Sequence, residues 1–177
     1  MSDINELRFD TVRAGRAGEH AASLNAQCLG RWISDFGLLN QVITLARPDQ
    51  EERSQPEWLI QREVIRLRVA KPWSPSDLPL IELREYAIFS GHHDHYMALM
   101  LEAIKGREKY SPNLGIWVPL SGDVNRVFHI SAYRDLQHRD AARAESARDP
   151  DWMRYLNTVM PMLRQMRNSL LLPYRGH

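Results

Sequence analysis

The stretch from Trp32 to Leu45 returns without a gap as Trp117 to Ile130, and this recurrence constrains the fold more than any other feature of the chain. Both copies open on a Trp and carry a Gly at the same point, Gly37 and Gly122. Each then enters one strand pattern, Leu39-Asn40-Gln41-Val42-Ile43-Thr44-Leu45 in the first copy and Val124-Asn125-Arg126-Val127-Phe128-His129-Ile130 in the second. The match extends outward. Leu7-Arg8 and Gly15 align with Leu83-Arg84 and Gly91, and Pro72 and Pro173 each close a last strand, where a residue unable to donate to a ladder is tolerated.

The patterning predicts a strand over 4–13 and a helix over 15–30, with Ala17, Ala21, Leu24 and Cys28 on one face. Two strands around Gly37 follow, then a short polar helix from Pro48 to about Ile60 and a period-two strand over 63–70. Pro75 and Pro79 stiffen a linker over 74–80. The second half predicts a strand over 81–89, a helix over 91–110, strands over 114–121 and 124–133, a helical region over 135–165 and a last strand over 166–172. Asp149-Pro150 breaks the long helical region, since an Asp caps free amides and a Pro suits the first helical turn. Strand, helix, strand, strand, helix, strand is the ferredoxin-like order. The expected fold is therefore α+β, with one βαββαβ repeat over 1–73 and another over 81–177. Each repeat alone would bury a thin core, so their antiparallel sheets are expected to pack face to face as one pseudo-twofold barrel.

Composition narrows the function classes. A net charge of +1 argues against a nucleic-acid surface. Cys28 is the single cysteine, so no intrachain disulfide can form, which fits a reducing compartment. Met1 to Asp10 holds no apolar signal core, and no run reaches the length of a membrane span; the expectation is a soluble, cytoplasmic protein with no membrane partner. Arg139, Arg143 and Arg148, interspersed with Asp135, Asp140 and Glu145, read as a solvated helix face.

The second half also resembles a known family. Ile81-Glu82-Leu83-Arg84-Glu85-Tyr86 with Gly91, then Gly115-Ile116-Trp117, Gly122, Asn125, Val127, His129, Ala132-Tyr133, Arg139, Arg143, Asp149-Pro150, Trp152-Met153-Arg154-Tyr155 and Leu171-Leu172-Pro173 are similar to the pattern of the NIPSNAP family. The first half keeps Leu7-Arg8, Gly15, Gly37, Asn40 and the Lys71-Pro72-Trp73-Ser74-Pro75 exit, and lacks counterparts of His129, Tyr133 and Asp149-Pro150. The resemblance implies a dimeric α/β-barrel fold, here with both repeats in one chain. Its superfamily includes cofactor-free oxygenases, isomerases, dehydratases and haem-handling proteins, so the resemblance implies a fold and a pocket without naming a reaction.

Several residues carry chemistry. On the strand over 124–131 the polar parity, Asn125, Val127, His129 and Ser131, is expected to face the barrel lumen, where His129 would act as a base and Asn125 as an orienting amide. The competing role for His129 is structural. Arg84 and Tyr86, or else Glu85, would enter the lumen from the strand before; an arginine there would hold a carboxylate or enolate, and a tyrosine would donate to an oxyanion. Trp32 and Trp117 would stack on a flat ligand or fill the core, and Asn40 is the first-half counterpart of Asn125. Of His92, His93 and His95 only the 92–95 pair has the spacing of a helical metal pair, and no acidic or cysteine partner lies at matching spacing beyond Asp94, so neither a metal nor a cofactor is expected. The leading expectation is a small, partly apolar ligand between the sheets. The alternatives are a cofactor-independent oxygenase or isomerase, and a non-catalytic interaction module; pairing of two chains as a homodimer stays open.

Overall fold

Alternating apolar residues and glycine-centred turns build eight strands. The computed structural model describes residues 4–24, 27–48 and 57–175. Its first half runs β1 (Ile4–Val12), α1 (Ala17–Ser23), β2 (Gly30–Phe36), β3 (Gln41–Ala46) and β4 (Leu59–Lys71). Its second half runs β5 (Leu80–Ile88), α2 (His93–Arg107), β6 (Asn113–Pro119), β7 (Arg126–Tyr133), α3 (Leu136–Ser146), α4 (Pro150–Val159), a 3-10 turn (Met160–Met162) and β8 (Leu163–Pro173). Every pairing is antiparallel, and the sheet closes as a barrel in the order β1-β3-β2-β8-β5-β7-β6-β4. Each half contributes its strands in the ferredoxin-like order, last, first, third, second. The two halves are joined where β2 meets β8 and β4 meets β6, and closure leaves no unpaired sheet edge in the barrel.

The barrel interior is the main core. Leu7, Ile43, Leu45, Ile65, Leu67, Leu83, Phe128, Ile130 and Leu171 fill it, as side chains do in eight-stranded barrels. Trp32, Trp73 and Trp117 close one end, with Trp73 edge-on to Trp32 at 5.8 Å and 6.2 Å from Trp117. The Trp117 indole N–H donates to Asn5 Oδ1 at 2.8 Å. Trp73 immediately precedes the proline-rich linker, whose Ser74 N–H bonds the Leu114 carbonyl at 2.8 Å, so the start of the linker is part of the barrel seal. A second cluster packs Tyr96, Met97, Met100 and Ile104 of α2 on Ile116, Val118 and Val127, outside the barrel. Leu80, Tyr133 and Leu170 receive Ala142 of α3.

Local expectations met mixed outcomes. The break at Asp149-Pro150 is present: Asp149 Oδ1 accepts from the Asp151 and Trp152 amides, and Pro150 opens α4. The helix expected over 15–30 is only the seven residues of α1. Leu24 turns extended and the Leu29 amide already bonds the Leu45 carbonyl at 2.8 Å, so the chain must leave the helix to reach the sheet and Cys28 lies outside it. Most of the helix expected from Pro48 to Ile60 lies outside the described residues; Glu57 and Trp58 form a turn and Leu59 already begins β4. Among the described residues no helix is long and apolar enough to cross a membrane.

Candidate functional site

The strand that carries His129 is buried on both faces, and this reverses the expected parity. Phe128 and Ile130 point into the barrel, whereas Val127 packs beneath α2; His129, on the Val127 parity, lies on the helix side of the sheet and not in the lumen. Polarity could not decide the question, because β7 has apolar residues on both parities. The interior around Phe128 and Ile130 is filled by apolar side chains, and the helix side offers the polar parity charged partners. Val124, just before β7, is exposed.

Across the ladder from His129 stands Arg84, so Arg84 and Tyr86 share its face. Glu85, on the other parity, lies at the open mouth of the barrel and pairs with Arg126 at 2.7 Å. That mouth is a cup of about 660 Å³ with Phe9 and Leu83 below and Glu63 and Gln41 on its wall.

Arg84 and Tyr86 line a different space, a cleft of about 600 Å³ between the outer face of β5 and β8 and the helices. From the sheet come Glu82, Arg84, Tyr86, Met166, Arg167 and Asn168. Arg107 enters from the last turn of α2, Arg139, Arg143 and Ser146 from one face of α3, Trp152 and Leu156 from α4, and Met160 from the 3-10 turn. Four guanidinium groups, those of Arg84, Arg107, Arg139 and Arg143, thus face the cleft against the carboxylate of Glu82 among the described residues; Arg167, opposite Glu85 in the ladder, is on the parity of the barrel mouth.

Glu82 is fully buried and multiply held. It accepts from Arg139 at 2.6 Å, Arg84 at 2.9 Å, Asn168 at 3.1 Å and the Tyr133 hydroxyl at 3.3 Å. Burial alone would raise its pKa; the charge of Arg84 and the hydrogen bond from Arg139 outweigh that and hold it at about 2. Arg84 also donates to the Tyr86 hydroxyl oxygen at 2.9 Å, which leaves the tyrosine proton for another acceptor. Arg107 is 8% exposed. It donates to Ser111 Oγ at 3.0 Å and lies 5.7 Å from the rings of both Tyr110 and Trp152. Its pKa is lowered, first by burial and then by the neighbouring charges of Arg84 and Arg143, against an opposing pull from Tyr133.

His129 is 6% exposed, stands edge-on to Tyr86 at 5.1 Å between ring centres, and neither ring nitrogen has a hydrogen-bond partner among the described residues. Burial, reinforced by the charge of Arg84, lowers its pKa to about 3. It is therefore a neutral ring behind the cleft.

The other candidates disperse. Trp32 and Trp117 are sealed inside the barrel. Asn125 lies beyond the start of β7, where its amide reaches Ser90 Oγ at 3.5 Å. Asn40 holds a turn: at φ 54° its Oδ1 accepts from the Gly15 amide and its carbonyl from the Val12 amide. His93 leans on Asp94 at the start of α2. The residues that sequence reasoning missed are Glu82 and Arg107 with the apolar wall, and Arg139 and Arg143 were read as solvated. Two signals were available. Glu6-Leu7-Arg8 recurs as Glu82-Leu83-Arg84, and Arg139, Arg143 and Ser146 follow helical spacing toward the sheet.

This geometry sits in the part of the chain that a family model recognises. The NIPSNAP model matches residues 81–175, just over half of the chain. The chain belongs to the NIPSNAP family. A NipSnap homolog from Dictyostelium discoideum is 22% identical over 167 residues, covering 83% of this chain and 75% of that protein. The human NipSnap homolog 2 is 24% identical over 155 residues and 83% of this chain, which spans only 54% of the human protein. Among solved structures, an uncharacterized NIPSNAP domain protein from Burkholderia xenovorans is 29% identical over 53% of this chain and 93% of its own, with a TM-score of 0.50. A putative monooxygenase from Lactobacillus acidophilus shares the fold over 97% of this chain and 94% of its own at a TM-score of 0.69, with 10% identity. The NIPSNAP region thus holds every element that borders the cleft.

Proposed function

We propose that this NIPSNAP protein binds a small anionic, partly apolar ligand in the cleft between β5, β8 and the helices, outside the barrel. The observation that carries the reading is Arg107, a buried guanidinium with no carboxylate partner among the described residues, facing a cleft that holds three more guanidiniums. A buried cation without a counter-ion is costly, and a bound anion removes that cost. Trp152, Leu156, Met160 and Met166 supply a wall for an apolar body.

Binding is favoured over acid–base catalysis by the groups present. A general base works best with a pKa near the working pH. His129 at about 3 and Glu82 at about 2 are both far too acidic for that role.

The test is a thermal-shift and calorimetric comparison of alkylbenzoates with their neutral amides at low salt. Benzoates are expected to stabilise the protein and the amides are not. Arg143 is exposed and has no carboxylate partner among the described residues, so Arg143→Ala should keep its melting temperature while benzoate affinity falls about tenfold. Equal affinity for the amides, or for the variant, would sink the reading.

A further inference from the structure

The charge that the ligand carries can be read from the cleft; this step rests on the anion-binding reading above. Glu82 is saturated by Arg84 and Arg139, so those two guanidiniums are already neutralised in part and fixed against the sheet. Arg107 and Arg143 have no carboxylate within salt-bridge distance among the described residues. Their cationic surplus exceeds what a single carboxylate would balance.

The surplus is also directional. Arg107 reaches in from the last turn of α2 and Arg143 from the last turn of α3, so two separate elements bring cations to one wall. The Arg107 guanidinium is backed by the faces of Tyr110 and Trp152 and steadied by Ser111, contacts that orient a planar fork without neutralising it. Trp152 continues from that contact into the apolar wall, where Met160 and Met166 are about half exposed at the rim. Thioether side chains adapt to varied apolar shapes, so the rim is suited to the body of a ligand and not to its charged head.

We infer that the ligand is a dianion joined to an apolar body, its head a phosphomonoester or a pair of carboxylates held by Arg107 and Arg143, and its body laid on Trp152 and the two methionines. Arg107 is then the specificity determinant for the doubly charged head, because its fork can engage two oxygens at once.

Calorimetry on the whole chain with five probes tests this: phenyl phosphate, phenylsuccinate, benzoate, benzyl alcohol and inorganic phosphate. At least one aryl dianion should bind about tenfold or more tighter than benzoate, and tighter than inorganic phosphate. Preference for phenyl phosphate over phenylsuccinate, or the reverse, assigns the head group. Arg107→Lys keeps the charge and loses the fork, and should erase most of the preference for the dianion while changing benzoate affinity little; Arg143→Gln, on the exposed side, should weaken the dianion without unfolding risk. Benzoate binding as tightly as both dianions would overturn the inference and leave the anion reading intact. Inorganic phosphate matching phenyl phosphate would overturn the role of the apolar wall. Benzyl alcohol matching benzoate, or no probe binding, would overturn both the inference and the reading beneath it.

Discussion

The two halves of the barrel carry the same ion pair in two different settings. Glu6 and Arg8 meet at 2.8 Å on β1, and Glu82 and Arg84 meet at 2.9 Å at the equivalent place on β5. Opposite Arg8 across the ladder is Thr44; opposite Arg84 is His129. Two residues further along, the first half has Asp10 where the second has Tyr86. Asp10 takes both arms of Arg62 at 2.6 Å and the His20 ring at 2.7 Å, so charge on that face is answered by charge. In the second half the helices bring Arg107, Arg139 and Arg143 over the sheet, and one carboxylate answers them. The same framework is self-satisfied on one side and left cationic on the other. Burial and pairing are common to both halves, so it is this unneutralised charge that supports the anion-binding proposal for the second half.

Removing the glutamate should separate the halves most. Glu82→Ala strands two guanidiniums, an amide and a hydroxyl in a fully buried site, and breaking such an arrangement costs about 3–5 kcal/mol. For a chain of this size that lowers the melting temperature by on the order of 10 °C. Glu6 has two guanidinium partners, and Arg66 stands mostly in water, so Glu6→Ala should cost about half as much. Urea denaturation of both variants reads the difference directly. Equal losses would mean that the second-half network is no more demanding than the first.

What the sequence disclosed, and what it hid, follows the same division between local and assembled features. Asp149-Pro150 announced a helix start because capping is decided within three residues, and Pro72 and Pro173 marked strand exits because a missing N–H is a local fact. Strand order followed from the recurrence at Trp32 and Trp117. The inward face of β7 was not legible, since a strand covered on both sides loses its alternation. Nor was the cleft: Arg107, Arg139 and Glu82 lie far apart in the chain and converge only when α2, α3 and β5 are packed. The length of α1 was missed because the apolar face continues past the point where the sheet takes the backbone.

A smaller and symmetric effect is expected at the glycines two residues before each sealing tryptophan. A Cβ on Gly30 would run into the Trp32 indole, and one on Gly115 into the Trp117 indole. Both indoles fold back over the bare glycine, so Gly30→Ala and Gly115→Ala should each destabilise by about 1–3 kcal/mol through overpacking. Gly115→Ala should be the worse of the two, because the hydrogen bond to Asn5 restrains the Trp117 ring from swinging aside. Near-equal unfolding midpoints would show that the seal yields alike at both positions, and intrinsic tryptophan fluorescence would report which ring moved.

The smallest effect at neutral pH, and the sharpest in its pH dependence, belongs to His129. Its folded pKa of about 3 lies below the ordinary value near 6.5, so the fold favours the neutral ring. As pH falls below about 6.5 the unfolded chain takes up a proton that the folded chain refuses, and stability is lost at up to about 1.4 kcal/mol per pH unit until the folded ring titrates near 3. Glu82 acts with the same sign in a lower window: its depressed carboxyl stabilises the fold above about 4.5, and that contribution disappears as pH falls toward 2. His129→Phe removes the first slope and keeps the second. At pH 7 it should leave stability unchanged or raise it by about 1 kcal/mol, because two buried nitrogens without partners are exchanged for carbon. Stability measured from pH 7 down toward 3 should then be flatter in the variant than in the wild type, and the two curves should run parallel only below about pH 3, where the ring is protonated in both the folded and the unfolded wild type. Thr44, the first-half counterpart, cannot titrate, so its replacement by Val should leave the wild-type slope intact. Unaltered acid sensitivity in His129→Phe would place the proton uptake elsewhere, and would return His129 to the candidates for a charged role.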